Sequence, residues 1–194
     1  MEDKRTAIFN SARKLFFLKG FKDTGVSEIA KNAGIGVGTF YNYYSSKEEL
    51  FLKVFIEENM QLKHSMLEQI APDDDLVTVS KKMMLQYVNN MSSNRILGEW
   101  YNRELFSKLE QYFYQQNGMQ SVDDFMHKDI AELIKKWKSE GKLRNDIDDD
   151  LILALLYSVT YIDMHKTEIG IQYFPKIMNL LYEFILKGLT DCKK

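Results

Sequence analysis

The sequence has little of what marks membrane-bound, secreted or disulfide-rich proteins. Its 194 residues include only two prolines and a single cysteine, Cys192, so no disulfide can form within the chain. The longest apolar run without a charge, residues 151–162, is too short to span a bilayer. Residues 2–5 are all charged, and no apolar segment follows them as it would in a signal peptide. We therefore expect a cytoplasmic protein with no membrane association.

A dominant charge sign is also missing, but the charges are unevenly distributed. The chain has 26 basic and 28 acidic residues, a net charge of −2 and a pI of about 6.0. Residues 1–54 contain nine of the basic and six of the acidic residues, a net charge of +3, which leaves 17 and 22, a net charge of −5, for the rest. A mildly basic N-terminal part is compatible with phosphate binding, although alone it is weak support for that function.

Apolar residues recur at helical spacing along almost the whole chain, and no segment alternates as a strand would. This pattern predicts an all-α fold of about nine helices. Gly20 ends the first helix, and the capping-box pair Ser46 and Glu49 starts a long fourth one. The predicted helices cover approximately residues 3–19, 26–33, 37–43, 46 onward, 73–87, 94–116 with Gly98 as a possible break, 119–140, 148–167 and 174–190.

Residues 26–44 have the layout of a helix-turn-helix unit, in which two short helices joined by a tight turn follow an amphipathic helix. The second, recognition helix must bury one side, and Phe40 and Tyr44, four residues apart, are suited to that. Its first turn must stay free of bulk so that the backbone can approach the bases, and Gly36 and Gly38 provide that space. The segment therefore predicts a DNA-reading helix.

Several side chains of this unit suit contacts with DNA. Val37 and Thr39 offer an apolar contact to a thymine methyl group or a hydroxyl to a base edge. Tyr41 and Tyr43 project from other faces, and their phenolic hydroxyls suit phosphate oxygens. Lys47, together with the backbone N–H groups that open the next helix, forms a further phosphate site. The chemistry of the segment thus favours nucleic-acid binding.

An alternative interpretation is that residues 20–50 are short helices packed in a bundle with the tyrosines in the core. Tyr41, Tyr43 and Tyr44 occupy three of four consecutive positions. A bundle would leave at least one of these polar rings away from the core, so we favour the DNA-binding interpretation.

Residues 21–34, FKDTGVSEIAKNAG, and residues 38–50, GTFYNYYSSKEEL, resemble the DNA-binding domain of the TetR family of transcriptional regulators. The resemblance covers residues 5–55, and it is specific because many positions match at fixed spacing. Family members often carry Ser or Thr where this chain has Gly25 and Gly36. Glycine still caps a helix, at a cost of a few tenths of a kcal/mol, but it offers no side-chain bond to a phosphate. The operator sequence cannot therefore be taken from relatives.

The resemblance implies a division of roles within this domain. Positions 37–39, Tyr41 and Tyr43 would face the groove, and Thr24, Tyr41 and Lys47 would contact phosphates. We expect a DNA-binding domain over residues 1–47. The candidate DNA-binding residues are Thr24, Gly36, Val37, Gly38, Thr39, Tyr41, Asn42, Tyr43 and Lys47.

The last two helices are apolar on more than one face, although a surface helix needs only one apolar stripe. One explanation is a helix at the centre of its own monomer. A four-helix interface between two subunits accounts better for a reader of two-fold DNA sites, whose recognition helices lie roughly 34–36 Å apart. The candidate dimer residues are Leu151, Leu155, Ile162, Ile177, Leu181, Phe184 and Gly188.

The middle of the chain, about residues 60–170, is rich in aromatic residues and methionine. Such residues are often only core, but the resemblance implies a pocket for a small, largely apolar or aromatic effector within an effector-binding and dimerisation domain over residues 48–194. Glu104, Asp163 and His165 are possible polar partners of such a ligand. The candidate pocket residues are Met83, Met84, Tyr87, Trp100, Tyr101, Glu104, Tyr112, Phe125, Tyr161 and His165.

No motif predicts a metal, a cofactor or an enzyme. Residues 34–38 do not fit the dinucleotide-binding glycine pattern and follow a helix rather than a strand. Residues 146–157 begin like a calcium loop but lack the glycine and the final acid. Asp123 and His127 are only two potential ligands, and no catalytic triad is recognisable.

The function expected from the sequence is that of a repressor that a small molecule releases from a palindromic operator. A helical DNA-binding adaptor controlled by a protein partner is an alternative, as is a helical small-molecule-binding protein that never engages DNA. Repression and activation are not distinguished, because the choice between them depends on where the operator lies.

Overall fold

The protein is all-α, as predicted. The computed structural model describes residues 3–71, 74–105, 107, 109, 130–174 and 176–191, and these contain no β-strand. No helix in those ranges is long and apolar enough to cross a membrane. The elements are α1 (Lys4–Lys19), α2 (Val26–Asn32), α3 (Val37–Tyr41), α4 (Lys47–Glu68), α5 (Leu76–Ser93), α6 (Arg95–Gly98), the 3-10 turn η1 (Glu99–Tyr101), α7 (described over 130–139), α8 (Asp149–Met164), α9 (Lys166–Ile169), the 3-10 turn η2 (Ile171–Tyr173) and α10 (Lys176–Thr190).

The helix ends follow local capping chemistry. Gly20 has φ 84°, a backbone conformation that favours glycine, and its N–H donates to Phe16 O at 2.8 Å to close α1. Ser46 Oγ accepts from the Glu49 N–H at 3.0 Å, as the capping box predicts. The Glu49 carboxylate accepts from the N–H and the hydroxyl of Ser45, both at 2.8 Å, rather than from Ser46. The box is therefore shifted by one residue on its acidic side.

Two predicted helices are interrupted. The helix expected over 94–116 passes from α6 into η1 at Gly98, and the chain at Asn102 is extended. The helix expected over 148–167 ends at Met164, and the short helix α9 follows it. Gly170, with φ 120°, ends α9. Residues 72, 73 and 175, residues 110–116 and the first half of the expected helix 119–140 lie outside the described residues.

The described chain forms two compact units. The first comprises residues 1–65 and 86–122, and the second comprises residues 66–85 and 123–194. In the first unit, α1 buries one face, formed by Ile8, Ala12, Leu15 and Phe16. An aromatic cluster joins α1, the α1–α2 loop and α4: the ring of Phe51 lies 5.0 Å from those of both Phe16 and Phe21. This cluster packs α1, the α1–α2 loop and α4 together in the core of the first unit.

The second unit has its own core, centred on Trp137, Ile134 and Ile152, which are at most 2% exposed. The Trp137 indole N–H donates to Asp74 O at 3.3 Å, so the polar edge of this buried ring has a partner. Leu186 and Leu189 bring the inner face of α10 into the same core.

Candidate nucleic-acid interface

The recognition helix α3 is anchored on one side and open on the other. Phe40 is fully buried and Tyr44 is 2% exposed, as their spacing predicts. The N–H groups of Thr39 and Phe40 converge on Gly36 O at 2.9 and 3.3 Å, which starts the helix. A Cβ added at Gly36 or Gly38 would meet no atom within 4 Å. Internal packing therefore does not require glycine at either position, and the first turn of α3 faces open space.

The exposed surface continues along α3 to its C-terminal end. Val37 is 42% exposed and Tyr41 is 54% exposed, and Asn42 is exposed beside the half-buried Tyr43. The ring of Tyr41 packs edge-on against Phe40 at 5.2 Å, so its direction is set although its hydroxyl lies at the surface. These side chains form one continuous polar and apolar surface.

Tyr44 has a different environment from its neighbours. Arg5 and Lys53 lie over its ring, 5.8 and 5.6 Å from the centroid. Burial raises the pKa of the Tyr44 phenol, although a hydrogen bond and the charge of Arg5 oppose that rise. Of the three clustered tyrosines, only Tyr44 is a core residue, which argues against the bundle interpretation.

Lys47, the first residue of α4, holds the α1–α2 loop. Its Nζ donates to Phe21 O and to Thr24 O, both at 2.9 Å, and lies 4.1 Å from the centroid of the Phe21 ring. Partial burial lowers the pKa of the Lys47 ammonium, and the carboxylates of Glu48, Asp23 and Glu99 oppose that shift. Two of its three N–H donors are thus engaged within the chain, a structural role that the sequence did not predict.

Thr24 lies inside the domain rather than on its surface. It is 1% exposed, and its hydroxyl donates to Gly20 O at 2.8 Å. The predicted phosphate contact from this side chain has no support from its position, because the hydroxyl proton already has an acceptor. Its contact with DNA stays a prediction, whereas its carbonyl has a clear role as an acceptor for Lys47.

Ion pairs divide the basic residues of residues 1–54. Arg13 pairs with Glu58, Lys19 pairs with Glu28, and Lys53 pairs with Glu49. Five other cations of this segment have no salt bridge to a carboxylate within the described residues. These cations are Lys4, Arg5, Lys14, Lys22 and Lys31. The partners of Arg13 and Lys19 lie on other helices, so sequence alone could not identify them, whereas Glu49 and Lys53 are four residues apart on α4.

The predicted pocket residues fall in different environments. Met83 packs against the core of the second unit, while Tyr161 of α8 and His165, the residue after the end of α8, are exposed. An open groove of about 480 Å³ lies on the first unit beside Phe17 and Glu58, and none of the predicted pocket residues lines it. Met84, Tyr87 and Tyr101 are half-buried and Glu104 is exposed, while Tyr112, Phe125 and the side chain of Trp100 lie outside the described residues. The pocket stays a prediction.

Two of the predicted dimer residues, Leu151 and Phe184, are exposed apolar side chains, and together with Leu180, which is outside the predicted set, we call them the exposed stripe of α8 and α10. Leu151 of α8 is 53% exposed, and Leu180 and Phe184 of α10 are 39% and 62% exposed. The opposite face of α10 packs inward, with Met178 and Leu189 at most 6% exposed. The remaining residues of the predicted set are half-buried or, for glycine, exposed: Leu155, Ile162, Ile177, Leu181 and Gly188. Each helix thus has one face in the monomer core and one apolar face left over.

Metal ligation has no candidate in the part of the chain that the structure describes. No three side chains of His, Cys, Asp or Glu come together there in a way that could hold an ion.

Known proteins share both the sequence and the fold of this chain. Residues 8–54 match the family model of bacterial regulatory proteins, tetR family. The uncharacterised HTH-type transcriptional regulator YhgD of Bacillus subtilis is 34% identical over 201 residues, which cover 97% of each chain. A second B. subtilis regulator of this type, YuxN, is 46% identical over 54 residues, which span 28% of this chain but only 19% of that protein.

Two solved structures show the same fold over nearly the whole chain. The regulator RolR, solved with resorcinol, superposes with a TM-score of 0.66 at 19% identity and covers 96% of this chain and 87% of its own. FadR of Bacillus subtilis, solved with stearoyl-CoA, superposes with a TM-score of 0.58 at 18% identity and covers 95% and 98%. With the helix-turn-helix geometry, the family match and the full-length relative, the chain belongs to the TetR family of transcriptional regulators, with its DNA-binding domain at the N-terminus.

Proposed function

We propose that this protein is a cytoplasmic repressor that binds a palindromic DNA operator as a homodimer and leaves it when a small molecule binds. The observation that carries the proposal is the open first turn of α3 above the fully buried Phe40. To enter the major groove, a recognition helix needs one face packed against the domain and the opposite face free of obstruction.

In this proposal, the residues of the α3 surface have two roles. The bases are read by positions 36–39, where the lack of bulk lets the backbone approach and Val37 and Thr39 supply the side-chain contacts. Tyr41, Asn42 and Tyr43 contact the phosphates, and Lys47 adds its remaining N–H donor. Residues 1–47 form the DNA-binding domain, and residues 48–194 form the effector-binding and dimerisation domain.

Dimerisation uses the exposed stripe of α8 and α10. Two copies that pack these stripes against each other form a four-helix interface and remove Leu151, Leu180 and Phe184 from water. A two-fold dimer presents two recognition helices to successive turns of the major groove, roughly 34–36 Å apart. It also doubles the phosphate contacts, which offsets the modest net charge of each N-terminal domain.

The effector is a small, largely apolar or aromatic molecule. Support comes from RolR, solved with resorcinol, and from FadR, solved with stearoyl-CoA, which share the fold of this chain. Binding favours conformations whose recognition helices are wrongly spaced for the operator, and the coupling is reciprocal, so DNA weakens effector binding to the same extent.

Release from DNA is tested with a labelled duplex from the region that flanks the protein's own gene. Phenols and long-chain acyl-CoA esters are titrated into the protein–DNA complex, and fluorescence anisotropy reports release. We expect one chemical class to lower the affinity about 5- to 150-fold, the usual range of such coupling. Tight binding that no compound of either class alters, but that a co-purifying protein does alter, would contradict small-molecule control.

A further inference from the structure

The backbone of Phe21, in the loop between α1 and α2, is held by hydrogen bonds at both its N–H and its carbonyl. Its N–H donates to Glu99 Oε1 at 3.2 Å, and its carbonyl accepts from Lys47 Nζ at 2.9 Å. The Phe21 ring packs against the ring of Phe51 at 5.0 Å and lies under the Lys47 ammonium. Phe21 is therefore held by the Glu99 carboxylate, the Lys47 ammonium and the aromatic core.

Glu99 comes from outside the segment that matches the family model. It begins η1, whereas the match covers residues 8–54. Its second oxygen, Oε2, accepts from Asn102 Nδ2 at 2.8 Å, which orients the carboxylate toward the loop. A Cβ added at Gly20 would lie 3.3 Å from Oε1, so the loop and this acid are in close contact. The α1–α2 loop is thus completed by a residue far along the chain.

A neighbouring contact strengthens the same junction. Arg95 donates to Leu18 O at 2.6 Å, so α6 supplies a partner for a carbonyl in the last turn of α1. The two carbonyls that accept from Lys47, those of Phe21 and Thr24, lie three and six residues after Leu18. The position of the Lys47 ammonium therefore depends on a loop whose other side is held by η1.

We propose that Glu99 is a positioning residue for the DNA-binding surface, because it holds the Phe21 peptide so that the α1–α2 loop keeps Lys47 in place at the start of α4. The inference rests on the proposed function, since it takes the side of the domain that carries Lys47 to face DNA. Without the Glu99 acceptor, the Phe21 N–H loses its partner and the loop loses its hold on that side.

Charge and positioning predict opposite signs for the loss of Glu99. Removing the Glu99 carboxylate makes the first unit more positive, which by itself strengthens binding to DNA. Loss of the Phe21 contact displaces the loop and the ammonium, which weakens binding. Glu99→Gln removes the charge but keeps an oxygen that accepts from the Phe21 N–H, so it separates the two effects.

The test compares Glu99→Ala and Glu99→Gln in the full-length protein, with Glu57→Gln as the control that removes an exposed acid of the same unit. The probes are the gene-flanking duplex and a random-sequence duplex at low salt. We expect Glu99→Ala to weaken binding about tenfold, and Glu99→Gln and Glu57→Gln to bind at least as well as the wild type. Hydrogen exchange at the Phe21 amide should accelerate in Glu99→Ala and stay slow in Glu99→Gln.

Each outcome distinguishes the possible failures. This inference alone is overturned if the wild type binds DNA and Glu99→Ala binds it equally well or more tightly. It is also overturned if the Phe21 amide stays protected from exchange in Glu99→Ala. A wild type that binds neither duplex overturns the proposed function and this inference with it. If Glu99→Ala does not fold, Glu99→Met replaces it, because Met keeps the length of the side chain but has no oxygen to accept from the Phe21 N–H. We expect the same weaker binding and faster exchange from Glu99→Met.

Discussion

Tyr41 and Tyr44, at and just beyond the end of the recognition helix, have different roles. Tyr44 is buried between α1 and α4, with the cations of Arg5 and Lys53 over its ring. Tyr41 points outward, with its ring packed on Phe40 and its hydroxyl at the surface. One ring stabilises the domain, and the other is available for DNA.

Replacement of Tyr41 by Phe tests the phosphate contact without disturbing the fold. The ring stays on Phe40, so the thermal midpoint should not change. The variant loses one hydroxyl donor, and we expect its affinity for duplex DNA to fall about two- to tenfold, independently of sequence.

The matched control for that experiment is Tyr173→Phe, which removes a hydroxyl from a similarly exposed tyrosine of the second unit. Both variants are measured by fluorescence anisotropy. If Tyr41→Phe binds DNA as tightly as Tyr173→Phe does, the hydroxyl makes no contact and that part of the surface is wrongly assigned.

At the scale of elements, the N-terminus of α4 depends on a short-range cap. Ser46 satisfies the Glu49 N–H, and the Glu49 carboxylate satisfies the N–H and hydroxyl of Ser45. Partial burial acts to raise the pKa of Glu49, but the hydrogen bonds from Ser45 and the contact with Lys53 outweigh it, so the pKa lies below its ordinary value. Folding therefore favours the charged form of this residue.

This shift predicts how acid affects stability. Because the folded state holds the Glu49 pKa below that of the unfolded chain, about 4.3, its stabilisation is complete above that pH and is lost as the pH falls through the folded-state pKa. Glu49→Gln keeps an acceptor for Ser45 but cannot titrate. Urea unfolding at neutral and acidic pH should show a smaller loss of stability for Glu49→Gln than for the wild type, and parallel losses would contradict this role.

Sequence predicted elements well where local chemistry decides them. The Ser46 and Glu49 pair marked the start of α4, and the spacing of Phe40 and Tyr44 predicted the buried side of α3. The possible break at Gly98 in the helix expected over 94–116 is where α6 ends, but the sequence did not predict that the next residue, Glu99, contacts Phe21. A contact between positions so far apart along the chain has no signature in local periodicity.

The candidate site was predictable to the same extent. Glycine spacing indicated the open first turn of α3, but the burial of Thr24 and the carbonyl partners of Lys47 depend on how the α1–α2 loop folds. The exposure of Tyr161 depends on which face of α8 enters the core, and an amphipathic pattern with two apolar faces does not say which. Long-range packing decides what periodicity leaves open.

For the whole molecule, the exposed stripe of α8 and α10 predicts a dimer that a single charge disrupts. Phe184→Asp places a carboxylate in the middle of the proposed interface, where it would be buried without a partner. We expect the dissociation constant of the dimer to rise at least about 100-fold in sedimentation analysis, with weaker operator binding as a consequence.

Leu85→Asp is the control, because Leu85 is equally exposed, at 64%, but lies on α5 rather than on the stripe. That variant should remain dimeric. A wild type that sediments as a monomer would contradict the proposed dimer, and a Phe184→Asp variant that stays dimeric would place the interface elsewhere.

The central claim is that the α3 surface binds DNA, and the most direct test is anisotropy binding to the gene-flanking duplex at several salt concentrations. The account predicts saturable binding to a short palindromic fragment, with two subunits per site and an affinity well above that for random DNA. The logarithm of the binding constant should fall linearly with the logarithm of salt concentration, since phosphate contacts release counterions. The absence of saturable binding to either the flanking or the random duplex at low salt would contradict the account.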